Sequence, residues 1–461
     1  MKKGDSNQSS RFYVVDLFAG CGGLSEGFRQ ANFEVIAQIE MDKWACRTLV
    51  TRHLYHELRK KGDYNVYNKY LTGQISQEDI LNNNPPLAQL ISHRVIQAVF
   101  GEDETDEIFD RIEASKRLHG APHIHVLLGG PPCQPYSLIG RSRDPFRMVN
   151  DDRHFLYTYY LEMLEHIQPD FFIYENVPGL FTAKARGRDI FGKILNDFSL
   201  LHPPYEIIPP LQKVYDDPRS YIINAADFHI PQNRKRLILI GYKKSPETDS
   251  PMIKKMFIQL QKEGIRNRQA GYLSVKDAIS DLPSLEPGKG NDGWYGYYES
   301  PCELKSYQGK MRKGSRGISN HRARTHMVSD LDRYRFFIEH HLSGNGAANL
   351  IDLMNERPDL VPSHHTKDKF LDRFKVQWWN RPASTITAHI CKDGHYYIHP
   401  DIDQCRSFTV REAARCQSFP DNFKFEGPRT EQFKQVGNAV PPILAFYIAK
   451  AILKQLRKRY G

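Results

Sequence analysis

Cys133 stands in Gly129-Gly130-Pro131-Pro132-Cys133-Gln134-Pro135. Glycine and proline remove helix and strand preference there and leave a shaped turn. The apolar run at 123–128 before it has strand length. A cysteine fixed on a rigid turn at a strand end is placed as a nucleophile. Its reactive form is the thiolate. With an ordinary pKa of roughly 8.5, that thiolate needs an electropositive setting or a base. Taken by itself the tetrad fits a buried, inert thiol equally well.

The elements around it supply more. Residues 12–18 read as a buried strand, 19–23 as a glycine turn, 24–31 as a helix and 34–40 as a second strand ending in Glu40. Strand, glycine turn, helix, strand, acid is the layout of an open parallel sheet that holds an adenosine-bearing cofactor at its strand ends. The turn lacks the GxGxxG spacing of dinucleotide folds and the Lys-Ser/Thr of a phosphate loop, which sets aside nicotinamides and nucleoside triphosphates. Glu40 could accept from two ribose hydroxyls, or be a surface acid at a strand end. Residues 170–175 form another strand ending in an acid, Glu175, and 221–224 with 236–240 read as a hairpin-like pair. The polar, helix-prone stretch at about 55–120 reads as an insertion without chemistry.

Composition narrows the class. With 461 residues the chain has room for a large domain and a smaller one. No apolar run approaches membrane-spanning length, and the N-terminus has no signal-peptide core. Seven cysteines, an odd number without a CxxC, argue for reduced thiols and against a zinc site. The expectation is a cytoplasmic protein without a metal. The net charge of +10 suits a polyanionic partner. Between Leu304 and Ser329 lie Lys305, Lys310, Arg312, Lys313, Arg316, Arg322 and Arg324, with glycines interleaved and no acid. This is either a solvated loop or a flexible basic arm that follows phosphates.

Taken in order, the motifs resemble the DNA (cytosine-5)-methyltransferases of bacterial restriction–modification systems. They are the turn at 16–23, Glu40, the tetrad at 131–134, Glu175-Asn176-Val177, Pro231-Gln232-Asn233-Arg234-Lys235-Arg236, Arg381-Pro382-Ala383-Ser384-Thr385 and Gly437-Asn438-Ala439-Val440. The stretch at 409–420 is similar to the family's approach to its last motif. The resemblance covers both ends of the chain and leaves out the middle. It implies an α/β fold, a Rossmann-like S-adenosylmethionine-dependent methyltransferase sheet with a second, smaller target-recognition domain. The implied division is 1–245 for the catalytic and cofactor-binding domain, 246–375 for recognition, and 376–461 for a segment returning to complete the catalytic domain.

The resemblance also implies roles. Cys133 adds to cytosine C6 of a nucleotide flipped out of duplex DNA. Glu175, kept protonated by its surroundings, serves N3. Arg236 binds O2, and Arg234 lies nearer the phosphates or braces the site. S-adenosylmethionine is held by Asp16, Phe18, Ala19, Gly20, Cys21, Gly22, Gly23, Leu24, Glu40, Met41, Pro132, Asn438 and Val440, and leaves as S-adenosylhomocysteine. DNA contacts are expected from Gln134, Ser137, Arg141, Arg143, Gln232, Lys310, Arg312, Lys313, Arg316, Arg322 and Arg324. The polar, basic segment at 140–147 is expected to be a lid. The implied protein is a nucleoid-associated monomer, with a cognate restriction endonuclease as a partner encoded nearby.

Two departures stand out. The family's adenine-reading Gly-Asp-Ile has only Gly73-Gln74-Ile75 and Glu78-Asp79-Ile80 as candidates, and His229 stands where a glycine is common. Two other readings were weighed. A tRNA cytosine-5 methyltransferase would carry a Cys-Phe-Thr tripeptide and a shorter middle, and this chain has neither. A catalytically inactive DNA-binding relative would not need Cys133, Glu175, Arg234 and Arg236 together.

Overall fold

The computed structural model describes residues 11–101, 105–132, 156–182, 184–185, 188–210, 218–244, 260, 262–294, 298, 303, 306–344, 346–363 and 371–460. Its elements run β1 (Phe12–Leu17), α1 (Gly23–Gln30), β2 (Phe33–Glu40), α2 (Lys43–Lys61), α3 (Tyr64–Leu71), α4 (Gln77–Asn82), α5 (Pro85–Arg94), β3 (Val95–Gln97), α6 (Thr105–Leu118), β4 (Val126–Gly129), α7 (Leu156–Ile167), β5 (Phe171–Asn176), α8 (Ile190–Ser199), β6 (Tyr205–Ile208), β7 (Ile222–Asn224) and β8 (Lys235–Lys243). The later part is mostly helical: α9 (Val275–Ile279), α10 (Tyr307–Arg312), α11 (Val328–Leu342), α12 (Leu350–Glu356), α13 (Val410–Cys416), α14 (Arg429–Asn438) and α15 (Pro442–Tyr460).

The sheet order is β3-β2-β1-β4-β5-β8-β6, with β7 also on β8. Strands β1 to β5 are parallel, and β8 runs antiparallel to β5, β6 and β7. The chain moves outward from β1 to β2 and β3, then returns to the other side of β1 as β4. The carboxyl ends of β1 and β4 therefore flank a topological switch point, the place where such sheets open a crevice. Period-two alternation sorts the strand side chains into two cores. Tyr13, Val15, Leu17, Phe172 and Tyr174 face α6, α7 and α8. Phe12, Val14, Phe171 and Ile173 face α1 and α15.

The stretch Arg429–Tyr460 is long and apolar enough by composition to cross a membrane. Its Leu444, Ile448, Ile452 and Leu456 are instead buried against the sheet. Close approach of α1 to α15 depends on glycine. A Cβ on Gly27 would lie 2.4 Å from both the Pro442 carbonyl oxygen and the Ala445 Cβ. Helix propensity favours alanine over glycine by about 1 kcal/mol, whereas forcing an atom into packed backbone costs about 1–3 kcal/mol. Overpacking wins, because the obstacle is backbone. Gly27→Ala is expected to lower the urea midpoint. An unchanged or raised midpoint would show that α15 can shift freely.

Several expectations need correction. The third strand, β3, lies inside the stretch read as an insertion. Both adenine-reading candidates, at 73–75 and 78–80, precede it, so neither follows the third strand as the family pattern requires. Strand β6 had no forecast. The basic stretch is folded where it is described. Residues 306–317 strap α2 and α3, with Tyr64 donating to the Gly314 carbonyl and Asn422 to the Lys313 carbonyl. The proposed boundary near 375 runs through one apolar cluster that holds Phe374 and Val376 together with Tyr334, Phe337, Leu353 and Ile398. Residues from 275 to 318 pack instead with the C-terminal segment and Cys21.

Candidate active site

Four strand ends converge at the switch point. Parallel register sets Leu17 beside Gly129 and Gly129 beside Tyr174. The turn after β1, the turn after β4 and the end of β5 thus share one edge. Antiparallel β8 brings Ile238 beside Glu175, which places Arg236 at that same edge.

Glu175 and Arg236 form an ion pair there, Arg236 Nε to Glu175 Oε1 at 2.9 Å, with side chains 12% and 10% exposed. Arg236 also donates to the Lys235 carbonyl at 2.8 Å, which fixes its fork. A Cβ on Gly130 would sit 2.8 Å from Glu175 Oε2. The turn that leads to Cys133 therefore lies directly against the carboxylate, and glycine is what permits it. Asn176 Nδ2 donates to the Pro131 carbonyl at 3.4 Å and pins the turn. Burial raises the Glu175 pKa above the usual carboxylate range, while Arg236 and then Arg234 pull it down. Burial wins, so this acid holds its proton longer than an ordinary glutamate.

The second group is the loop around Glu40. Gly20 N–H donates to Glu40 Oε2 at 2.7 Å and Asp42 N–H donates to Oε1 at 2.8 Å. One oxygen each fixes the carboxylate plane, and burial raises its pKa. Phe18, Gly20 and Gly22 have positive φ, which turns the chain sharply past Glu40. The Phe18 ring packs on Phe100 at 4.8 Å. Gly23 meets the far end of the chain, since a Cβ there would fall 2.3 Å from the Val440 carbonyl oxygen. Asn438 and Met41 are exposed beside this wall, Ala19, Cys21 and Leu24 are buried in it, and Pro132 is exposed at the neighbouring turn. Asp16 is 1% exposed, its Oδ2 has no hydrogen-bond partner, and burial pushes its pKa up to about 7. An orphaned buried acceptor beside a carboxylate held open by two N–H groups fits a ligand with ribose hydroxyls and a cationic end.

Other predicted residues fall elsewhere. Arg234 is fully buried and donates to the carbonyls of Ile386, Gly437 and Ala439 at 2.5, 3.0 and 2.8 Å. It braces two segments, at 386 and at 437–439, and does not reach towards phosphates. Gln232 is also fully buried. It donates to Cys416 O and Gln417 Oε1 and accepts from Ile386 N–H, so as a DNA contact it is displaced by a clasp within the protein. Arg312 is held by Asp281 and lies over Tyr298. Arg324 donates to the Ile390 and Lys392 carbonyls and lies over Phe433. Neither is free for DNA, because each is consumed in packing. Lys310, Lys313, Arg316 and Arg322 are exposed. Cys133, Gln134, Ser137, Arg141, Arg143 and the expected lid lie outside the described residues. Among the described residues no cluster of His, Cys, Asp or Glu could hold a metal.

Comparison with known proteins places this geometry in a family. Residues 12–87 and 94–454 match the C-5 cytosine-specific DNA methylases. The Type II methyltransferase M.Bpa9945I of Bacillus paralicheniformis is 39% identical over 95% of this chain and 98% of its own length. M.DdeI of Desulfomicrobium norvegicum is 29% identical over 95% and 88%. Among solved structures, a DNA modification methyltransferase encoded within an E. coli prophage shares the fold at a TM-score of 0.59, with 23% identity over 97% of this chain and 99% of that one. The chain belongs to the C-5 cytosine-specific DNA methylases and is a DNA (cytosine-5)-methyltransferase of the bacterial restriction–modification type.

Proposed function

We propose that the protein moves a methyl group from S-adenosylmethionine to C5 of a cytosine flipped out of duplex DNA, through a covalent Cys133–C6 bond. The observation that carries this reading is the Glu175–Arg236 pair set against the glycine-proline turn that leads to Cys133. An acid with a raised pKa and a fixed cation share one strand edge with the turn that precedes Cys133 in the sequence. Cytosine C5 is a poor nucleophile until C6 carries a thiolate. Addition of the Cys133 sulfur at C6 pushes electron density towards N3 and C5. Glu175 donates its proton at N3, so the adduct carries no ring anion. Arg236 holds the orientation of Glu175 and is free at its outer N–H edge for O2. Once C5 has taken the methyl, leaving S-adenosylhomocysteine, loss of the C5 proton to solvent, departure of the Cys133 thiolate from C6 and return of the N3 proton to Glu175 release 5-methylcytosine.

S-adenosylmethionine supplies an electrophilic methyl on a sulfonium. Glu40 would present its oxygens to the ribose, the buried Asp16 Oδ2 would accept from the ammonium, and Asn438 and Val440 would close the far wall. Arg234 keeps that wall in register with β8.

A duplex carrying 5-fluorocytosine at the target has no removable C5 proton. Incubated with the methyl donor, it should remain bonded to the wild-type enzyme on a denaturing gel. Cys133→Ser should yield no such band. A band of equal intensity from the serine variant would remove Cys133 from the mechanism.

A further inference from the structure

The recognition unit has to meet DNA next to the flipped cytosine, and one exposed stack sits at that seam. The segment before α13 is stitched to the catalytic loop. Ala383 N–H donates to the Pro231 carbonyl, Asn233 N–H donates to the Ala383 carbonyl, and Thr385 Oγ1 donates to the Asn233 carbonyl at 2.5 Å. Arg236 lies three residues beyond Asn233. Immediately upstream, Trp378 and Trp379 are both half-buried and meet different neighbours. Trp379 turns inward, edge-on to His399. Trp378 remains half-buried, with the His341 ring 3.7 Å from its centroid at 58°.

A backbone turn closes by Arg381 N–H donating to the Trp378 carbonyl, and it folds Arg381 back over the indole, 4.4 Å from guanidinium carbon to centroid. Arg381 is exposed. Among the described residues no carboxylate pairs with it and no hydrogen bond uses its guanidinium. Between Arg373 and Lys392 the sequence contains no Asp or Glu. An arginine held over an aromatic ring gives up little side-chain freedom when it binds. This one is stiffened and left without an anion, beside the loop that receives the nucleotide.

We propose that Arg381, laid on Trp378 and braced by His341, is a phosphate contact for duplex DNA at the edge of the active site. The proposal rests on the duplex-DNA reading above. Arg381 supplies the charge, while Trp378 and His341 are positioning residues. His341 adds no charge, because burial and the nearby Arg381 lower its pKa.

The test uses full-length protein and a duplex oligonucleotide whose sequence is located by bisulfite sequencing of DNA from expressing cells. Dissociation constants are read by fluorescence anisotropy between about 50 and 200 mM salt. Arg381→Ala should weaken binding roughly tenfold and reduce the slope of log K against log salt by about 0.9, the value of one phosphate. Its S-adenosylmethionine affinity and urea midpoint should match wild type, since the side chain is exposed. Arg381→Lys should restore the slope but not the full affinity, because an ammonium does not lie flat on an indole. Trp378→Ala should lose affinity with the slope kept. An unchanged slope in Arg381→Ala overturns the assignment, and so does an unchanged slope with relaxed choice at one base, which would make Arg381 a base reader. If wild-type protein methylates no duplex DNA, the underlying reading has failed. If wild type methylates and Arg381→Ala behaves identically, only this inference has.

Discussion

Glu175→Gln is expected to lower kcat by about three orders of magnitude, within the range seen when a positioned general acid is removed. An amide can occupy the same space against the turn at 130 and can donate a hydrogen bond, but it cannot deliver a proton to N3. Stability separates this effect from simple damage. The Glu175 pKa is raised in the folded protein. Above the unfolded carboxylate pKa the unfolded chain ionises more readily than the folded one, so the native acid costs stability at neutral pH. Glutamine removes that cost but leaves Arg236 without its anion. The two changes oppose each other, and the urea midpoint should move little.

The pH profile gives a second readout. Catalysis that needs protonated Glu175 must fall as pH rises through its raised pKa, and the glutamine enzyme has no such limb. Methylation by the variant at more than about a tenth of the wild-type rate would take N3 protonation away from Glu175, since loss of a general acid costs at least 100-fold.

Much of this site was legible because its chemistry is carried by residue types that are rare in combination. Glycines at 20, 22 and 23 followed by an acid at the next strand end announced the loop around Glu40. The same logic put Glu175 at a strand end, whereas the strand that sets Arg236 against it was read only as half of a hairpin with 221–224. Less legible were elements whose signal is short or whose residue type misleads. Strand β3 has three residues, too few for alternation to register against a helical background. Arginine reads as surface by default, so Arg312 and Arg324 were assigned outward roles and Arg234 was left between the phosphates and a bracing role. Nothing in one-dimensional spacing shows that backbone carbonyls or a carboxylate from another element await them. Arg381 is the converse case. It was given no site role in the sequence reading, and the structure leaves its side chain exposed. The acid-free run around it was visible in the sequence and was the signal that could have found it.

The second large effect concerns another interior arginine, and it is an effect on folding. Arg415 is fully buried. It donates to Asp421 through Nε at 2.5 Å and Nη2 at 2.7 Å, reaches both Asp281 oxygens at 3.2 Å, and donates to the Ala278 carbonyl at 2.9 Å. Asp281 and Ala278 belong to the α9 region, while Asp421 follows α13, so one guanidinium ties the middle of the chain to its return segment. Arg415→Met is expected to cost about 3–5 kcal/mol, because it leaves buried carboxylates behind and does not merely remove a contact.

The cost should not be equal for the two acids. Asp281 keeps Arg312, whose Nε donates to it at 2.6 Å. Among the described residues Asp421 keeps Tyr298 at 2.7 Å and a distant Arg411 at 4.0 Å. In the native protein Arg415 holds the Asp421 pKa below the usual range. A depressed acid contributes stability that is present above its unfolded pKa and lost as pH falls through the folded one. The methionine variant lacks that contribution, so its deficit relative to wild type should shrink on acidification below about pH 4. Adding Asp421→Asn to the variant removes the stranded charge and should recover a substantial part of the loss at pH 7. Urea unfolding at two pH values measures both. If the double variant were as unstable as Arg415→Met alone, the loss would be one of packing volume, and the buried charge network would not be what joins the two halves.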